Sequence, residues 1–203
     1  MALIFSTAIK FFFLFAPFFV VSMFLSLTKQ ETPQGRATIA NRAVFSAILI
    51  SLVLMFFGET LFAILGITLN SFRIGAGTLL FLSAVSLVRD GVRNHATGSD
   101  GDLMDDKDDV AVVPLAIPTI IGPATIGAII VAGAELQGVE LLYGISGMLL
   151  ALVALLLLLR ASVKIERILG KTGLNILSKI TGLILAAMAA ELIFTGIKSF
   201  LNL

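Results

Sequence analysis

Phe13-Leu14-Phe15-Ala16-Pro17-Phe18-Phe19-Val20 sets a proline in the middle of a long apolar run. Ile120-Ile121-Gly122-Pro123-Ala124-Thr125 does so again, with Pro123 lying 106 residues after Pro17. Other landmarks return at nearly that spacing. Leu65-Gly66-Ile67-Thr68 recurs 104 residues on as Leu169-Gly170-Lys171-Thr172, and Gly77 and Gly91 recur 105 residues on as Gly182 and Gly196. A helix breaker at matching places in both halves of a membrane protein points to a binding site at mid-membrane.

The composition places the chain in a bilayer. Hydrophobic residues make up 58% of its 203 residues and charged residues only 13%, with a mean hydropathy of +1.08. A soluble domain carries roughly 25% charge, so this chain lacks the polar side chains to cover a surface in water. A net charge of +1 gives no basic surface for nucleic acid. There is no cysteine, which excludes disulfides and thiolate metal sites. No basic stretch precedes the first apolar run, so that run reads as a retained helix rather than a cleaved leader.

Six apolar runs fall at about 3–27, 38–65, 71–91, 109–133, 140–160 and 174–200. Each is long enough for the ~20 residues that a spanning helix needs. Runs such as Leu155 to Leu159 do not alternate as barrel strands must, so the chain is all-α. The basic residues set its orientation. Lys29, Arg36, Arg42, Arg89, Arg93, Lys107, Arg160, Lys164, Arg167, Lys171 and Lys179 fall on one side, leaving Lys10, Arg73 and Lys198 on the other. Basic loops stay in the cytoplasm, so both termini face outward.

The same charges favour an inverted repeat. Three helices per half send the second half through the membrane the other way, so matched loops should differ in charge. The first connection is basic, while its counterpart near Leu136 to Leu142 has no Lys or Arg. The predicted fold is a polytopic membrane protein of six transmembrane helices. They form two inverted three-helix repeats, with the first and fourth helices broken. Within the single membrane domain 1–203, the repeats cover 1–98 and 109–203, joined by an acidic cytoplasmic linker at 99–108. Asp100 and Asp102 in the linker begin like a calcium loop, but Met104 and Asp105 break the pattern. His95 reads as an exposed loop residue.

A proline inside a helix removes one donor and displaces a carbonyl a turn earlier, at a cost of ~3 kcal/mol. In lipid the freed groups must face protein or an aqueous cavity. Around the two breaks, Ala16, Pro17, Phe18 and Phe19 on one side and Thr119, Gly122, Pro123, Ala124 and Thr125 on the other are the candidate substrate-binding residues. Half-helix ends there suit a zwitterion, with amides for a carboxylate and carbonyls for an ammonium. An ordinary packing kink is the alternative for either proline alone. Lys10 and Glu191 fall in the outward halves of their helices, where an ion pair, ion coupling or snorkelling toward the surface all fit. Arg73 marks the outer interface. Gly182, Ala186 and Ala190 form a small-residue ridge for close helix packing. No nucleophile–base pair, histidine cluster or phosphate loop is present, so an enzyme is not expected, nor is a cofactor or metal.

Asp109-Val110-Ala111-Val112-Val113-Pro114-Leu115-Ala116-Ile117-Pro118, followed by Gly122-Pro123, resembles the MarC family of bacterial and archaeal inner-membrane proteins. Phe24-Leu25-Ser26-Leu27-Thr28, Phe72-Arg73-Ile74 with Leu79-Leu80-Phe81-Leu82, and Gly182-Leu183-Ile184-Leu185-Ala186-Ala187 are similar to it as well. The resemblance implies six helices in two inverted halves, with a small substrate between the broken first and fourth helices. Pro17, Gly122 and Pro123 match the family's motif residues. The chain departs from the family in its first half, where Asn-Pro-x-Gly is usual and Ala16-Pro17-Phe18-Phe19 stands here.

The expected function is secondary transport of a small neutral solute, a neutral amino acid such as glycine or alanine, by alternating access in the inner membrane. A non-transporting membrane scaffold or regulator that keeps the family fold is the alternative. The expected partners are the solute and the lipid bilayer, with no nucleic acid; a homo-oligomer is left open.

Overall fold

The computed structural model describes residues 2–64, 66–90, 111–136 and 138–201. Leu65, Gly91, His95 and the linker 99–108 lie outside the described residues. Among the described residues there is helix and short connection only. The helices are α1 (Ala2–Leu14), α2 (Pro17–Leu27), α3 (Pro33–Ile64), α4 (Leu69–Asp90), α5 (Pro123–Glu135), α6 (Val139–Arg160) and α7 (Ser162–Phe200). A π-helical segment, Ala111–Ile120, precedes α5.

Four of these helices, α3, α4, α6 and α7, are long and apolar enough to cross a membrane, and α1 with α2, bent by 45° at the break between them, is long and apolar enough when taken as one pair. The run expected at 109–133 is built in two pieces, the ten-residue π-helical segment and the 13-residue α5. Pro114 and Pro118 each lack the N–H that an α-helix needs, and the segment widens instead. Its last bond runs from the Ile121 N–H to the Ala116 carbonyl, five residues back, at 2.9 Å.

Two boundaries differ from the sequence reading. Helix α3 starts at Pro33 rather than near 38. Proline suits a first helical position, and the Thr32 hydroxyl accepts the Gly35 N–H at 3.1 Å. Helix α7 starts at Ser162, so the expected fifth connection is helical and carries Lys164, Arg167 and Lys171 as exposed side chains. A helix satisfies its backbone whatever its side chains, so basic residues at a membrane surface do not end it. The interruption comes at Gly170, whose φ of 65° and ψ of 174° is a conformation that glycine alone adopts readily.

The most extensive packing is α4 on α7, and its register is antiparallel. A Cβ on Gly77 would come 3.0 Å from the Ala189 carbonyl oxygen and 2.7 Å from Ile193. A Cβ on Gly182 would come 3.0 Å from the Ala84 carbonyl oxygen and 2.8 Å from Val88. Gly196 lies against Asn70, Arg73 and Ile74. Thus the residue that packs beside the expected ridge is Ala189, fully buried, while Ala190 is half-buried. Around this pair α1 packs on α6, the π-helical segment on α3, α2 on α7 and α5 on α4. The outer flanks are apolar: Phe45, Phe57 and Phe194 are 69%, 65% and 71% exposed. Such a surface would be a liability in water and is the proper one against lipid.

Side-chain bonds divide the ends of the bundle by charge. Arg36 donates to the Thr28 and Lys29 carbonyls (2.9 and 3.2 Å), Arg160 to Asn41 Oδ1 (2.7 Å), and Lys179 to the Arg89 carbonyl (3.4 Å). These lie at one end. Arg73 lies at the other, beside Gly196.

Candidate functional site

The first break is set by local backbone chemistry. Helix α1 closes with the Ala16 N–H bonded to the Phe13 carbonyl at 2.9 Å, a tighter bond than the α-helical one. Ala16 then takes a left-handed conformation (φ 45°, ψ 59°), and Pro17 starts α2 as a residue with no N–H to satisfy. A left-handed alanine crowds its Cβ against the backbone at a cost of about 1–2 kcal/mol. Asparagine, which the family pattern carries at this position, tolerates that region far better. Ala16→Gly and Ala16→Asn are each expected to stabilise the protein by about 1 kcal/mol, and Ala16→Val to destabilise it. Thermal unfolding in detergent checks the order. The second break differs, because Gly122 is extended (φ −81°, ψ 171°) before Pro123 opens α5.

Two cavities flank the breaks. The first, about 240 Å³, has Lys10 and Leu14 of α1, Leu80 of α4, Glu135 of α5, and Met188 and Glu191 of α7 in its wall. The second, about 580 Å³, has Ser22 of α2, Lys29, Arg36 of α3, and Glu166, Lys171 and Asn175 of α7. On α7 the nearest wall residues of the two, Asn175 and Met188, are about 20 Å apart at 1.5 Å per residue. The cavities therefore open toward opposite ends of the bundle. Leu14 and Ser22 stand on either side of the Ala16-Pro17 break, which lies in the septum between them.

None of the predicted substrate residues lines either cavity. Pro17, Ala124 and Thr125 are buried; Ala16, Phe18, Phe19, Thr119 and Gly122 are half-buried; Pro123 is exposed. Helix α2 touches the π-helical segment, which brings the two broken spans together. Lys10 and Glu191 are both exposed on the wall of the first cavity, and no ion pair joins them.

The ion pair at that end is one the sequence reading does not contain. Arg73 Nη2 meets Glu135 Oε1 at 2.6 Å, tying the start of α4 to the end of α5 beside the cavity. Arg73 Nη1 also donates to Asn70 Oδ1 at 3.1 Å, while its Nε is buried without a partner. The signal was present: the orientation from basic residues puts Arg73 and the Leu136 connection at the same surface. The corresponding contact of α2 with α7, at the opposite end, has Asn175 and Ser178 where α4 has Asn70 and Arg73, so no cation occupies the position equivalent to Arg73.

Comparison with known proteins gives one consistent result. The family model for "MarC family integral membrane protein" matches residues 1–201. The chain is 34% identical over 187 residues to UPF0056 membrane protein MJ1677 of Methanocaldococcus jannaschii, covering 91% of each. It is 33% identical over 190 residues to UPF0056 membrane protein YhcE of Escherichia coli, covering 90% of this chain and 86% of that one. It is 27% identical over 199 residues to UPF0056 inner membrane protein YhgN of E. coli, covering 98% of each. No solved structure matches.

Proposed function

The chain belongs to the MarC family of integral membrane proteins, and on that premise we propose that it is a secondary transporter of a small neutral solute. A neutral amino acid such as glycine or alanine is the first candidate. The carrying observation is the pair of cavities at opposite ends, parted at the Ala16-Pro17 break. That is the arrangement alternating access requires.

The contacts support a two-fold relation between the halves. Gly77 and Gly182, Ala84 and Ala189, and Val88 and Ile193 are each 105 residues apart, and one set of contacts becomes the other when the halves are exchanged. The packing of α1 on α6 likewise exchanges with that of the π-helical segment on α3, and α2 on α7 with α5 on α4. A two-fold axis between antiparallel helices runs perpendicular to them. If α4 and α7 cross the bilayer, that axis lies in its plane, which is the inverted six-span repeat. The end that gathers Arg36, Arg89, Arg160 and Lys179 is then cytoplasmic, and both termini are outside. The similarity to YhgN, an inner membrane protein of E. coli, supports an inner-membrane location.

Purified protein in liposomes should take up labelled glycine, alanine, serine or threonine. Absence of flux with all four, from protein that remains folded, would move the chain to a membrane scaffold. The rocking model carries its own prediction. Taking the Arg73–Glu135 pair, which ties α4 to α5 beside the first cavity, as an outer lock, Glu135→Gln should shift the population outward by about 1 kcal/mol, or about fivefold. Because the chain has no cysteine, Met188→Cys reports this directly. Its labelling by a water-soluble maleimide should quicken about fivefold in the Glu135→Gln background, and an unchanged rate would mean that the pair is no lock.

A further inference from the structure

We infer that the larger cavity is a binding site for a phosphate-type oxyanion. Three cations, Lys29, Arg36 and Lys171, stand in its wall against one carboxylate, Glu166. Neither lysine makes an ion pair with a described residue. Arg36 spends two of its five donors on the Thr28 and Lys29 carbonyls, which fixes the guanidinium in place and leaves three donors. The remaining polar wall is rich in donors, with hydroxyls at Ser22, Ser26 and Thr172.

The charge count selects the ligand. A neutral solute gains nothing from an excess of two positive charges, and a single carboxylate balances only one. A phosphate monoester carries about −1.5 to −2 at neutral pH, with three acceptor oxygens for such donors. A fixed guanidinium with free donors suits phosphate oxygens well. The group can arrive on a soluble molecule or as the phosphomonoester headgroup of an anionic lipid, and the chemistry of recognition is shared. The inference is independent of whether any solute crosses the membrane.

The test is the acylation rate of each lysine, read by mass spectrometry on the full chain in phosphatidylcholine nanodiscs. Inorganic phosphate should slow Lys29 and Lys171 at least fivefold and leave Lys164 and Lys198 unchanged. If the same protection appears in nanodiscs containing phosphatidic acid without added phosphate, the lipid headgroup is a source; protection by phosphate alone assigns a soluble one. Lys171→Gln should remove the protection of Lys29. Absence of protection in both arms, equal protection by chloride at matched ionic strength, or equal protection of Lys164 would each overturn the site.

Discussion

Pro123→Leu is expected to cut solute uptake into liposomes at least tenfold while leaving the protein folded. Leucine restores an N–H at position 123, and the nearest helical acceptor for it is the Thr119 carbonyl. In an apolar solvent an unmet donor costs several kcal/mol, so the chain gains by running helix through 121–123 and healing the break. Each 1.4 kcal/mol by which the continuous form is favoured is a tenfold loss of the broken one. Pro17→Leu should act alike, because an N–H at 17 can bond the Phe13 carbonyl in place of the Ala16 N–H that now holds it at 2.9 Å. That substitution straightens the 45° bend between α1 and α2. Pro123→Gly, which does not favour helix, should retain most of the flux, and His95→Ala should retain all of it. Circular dichroism separates loss of function from loss of fold. Full flux through both leucine variants would sink the idea that the breaks carry the transport.

What could be read from the sequence follows from how local its causes are. A proline acts on its own turn, so Pro17 and Pro123 locate the breaks to the residue, and both open helices in the structure. Low charge and long apolar runs are properties of composition, and they give the all-helical membrane class. The start of α7 was hidden because basic residues at Lys164, Arg167 and Lys171 read as a loop, whereas a helix accepts them on its exposed turns. The left-handed turn at Ala16 was hidden because alanine has no preference for it. Arg73 and Glu135 are 62 residues apart in sequence, and only the packing of α5 on α4 makes them partners. The cavities depend on helix positions still more, and no single residue announces them.

Gly77→Leu and Gly182→Leu should each destabilise the protein by about 1–3 kcal/mol, and by nearly equal amounts. At both positions an added Cβ meets backbone of the facing helix: the Ala189 carbonyl oxygen at 3.0 Å and the Ile193 nitrogen at 3.1 Å for one, the Ala84 oxygen at 3.0 Å and the Val88 nitrogen at 3.2 Å for the other. Backbone cannot swing aside as a side chain does, so α4 and α7 must separate along their length. Helices in lipid have no hydrophobic drive to re-form that contact, since close packing is itself the source of their attraction. Gly75, on the same helix as Gly77, has nothing within 4 Å of its Cβ position, and Gly75→Leu should be neutral or slightly stabilising. Unfolding of the three variants in one detergent measures all of this. Equal losses at 77 and 182 are what a two-fold relation demands, because the two glycines then occupy one environment seen from opposite sides of the membrane. A large loss at one with none at the other would break the equivalence, and with it the case that the two halves are copies of a single inverted unit.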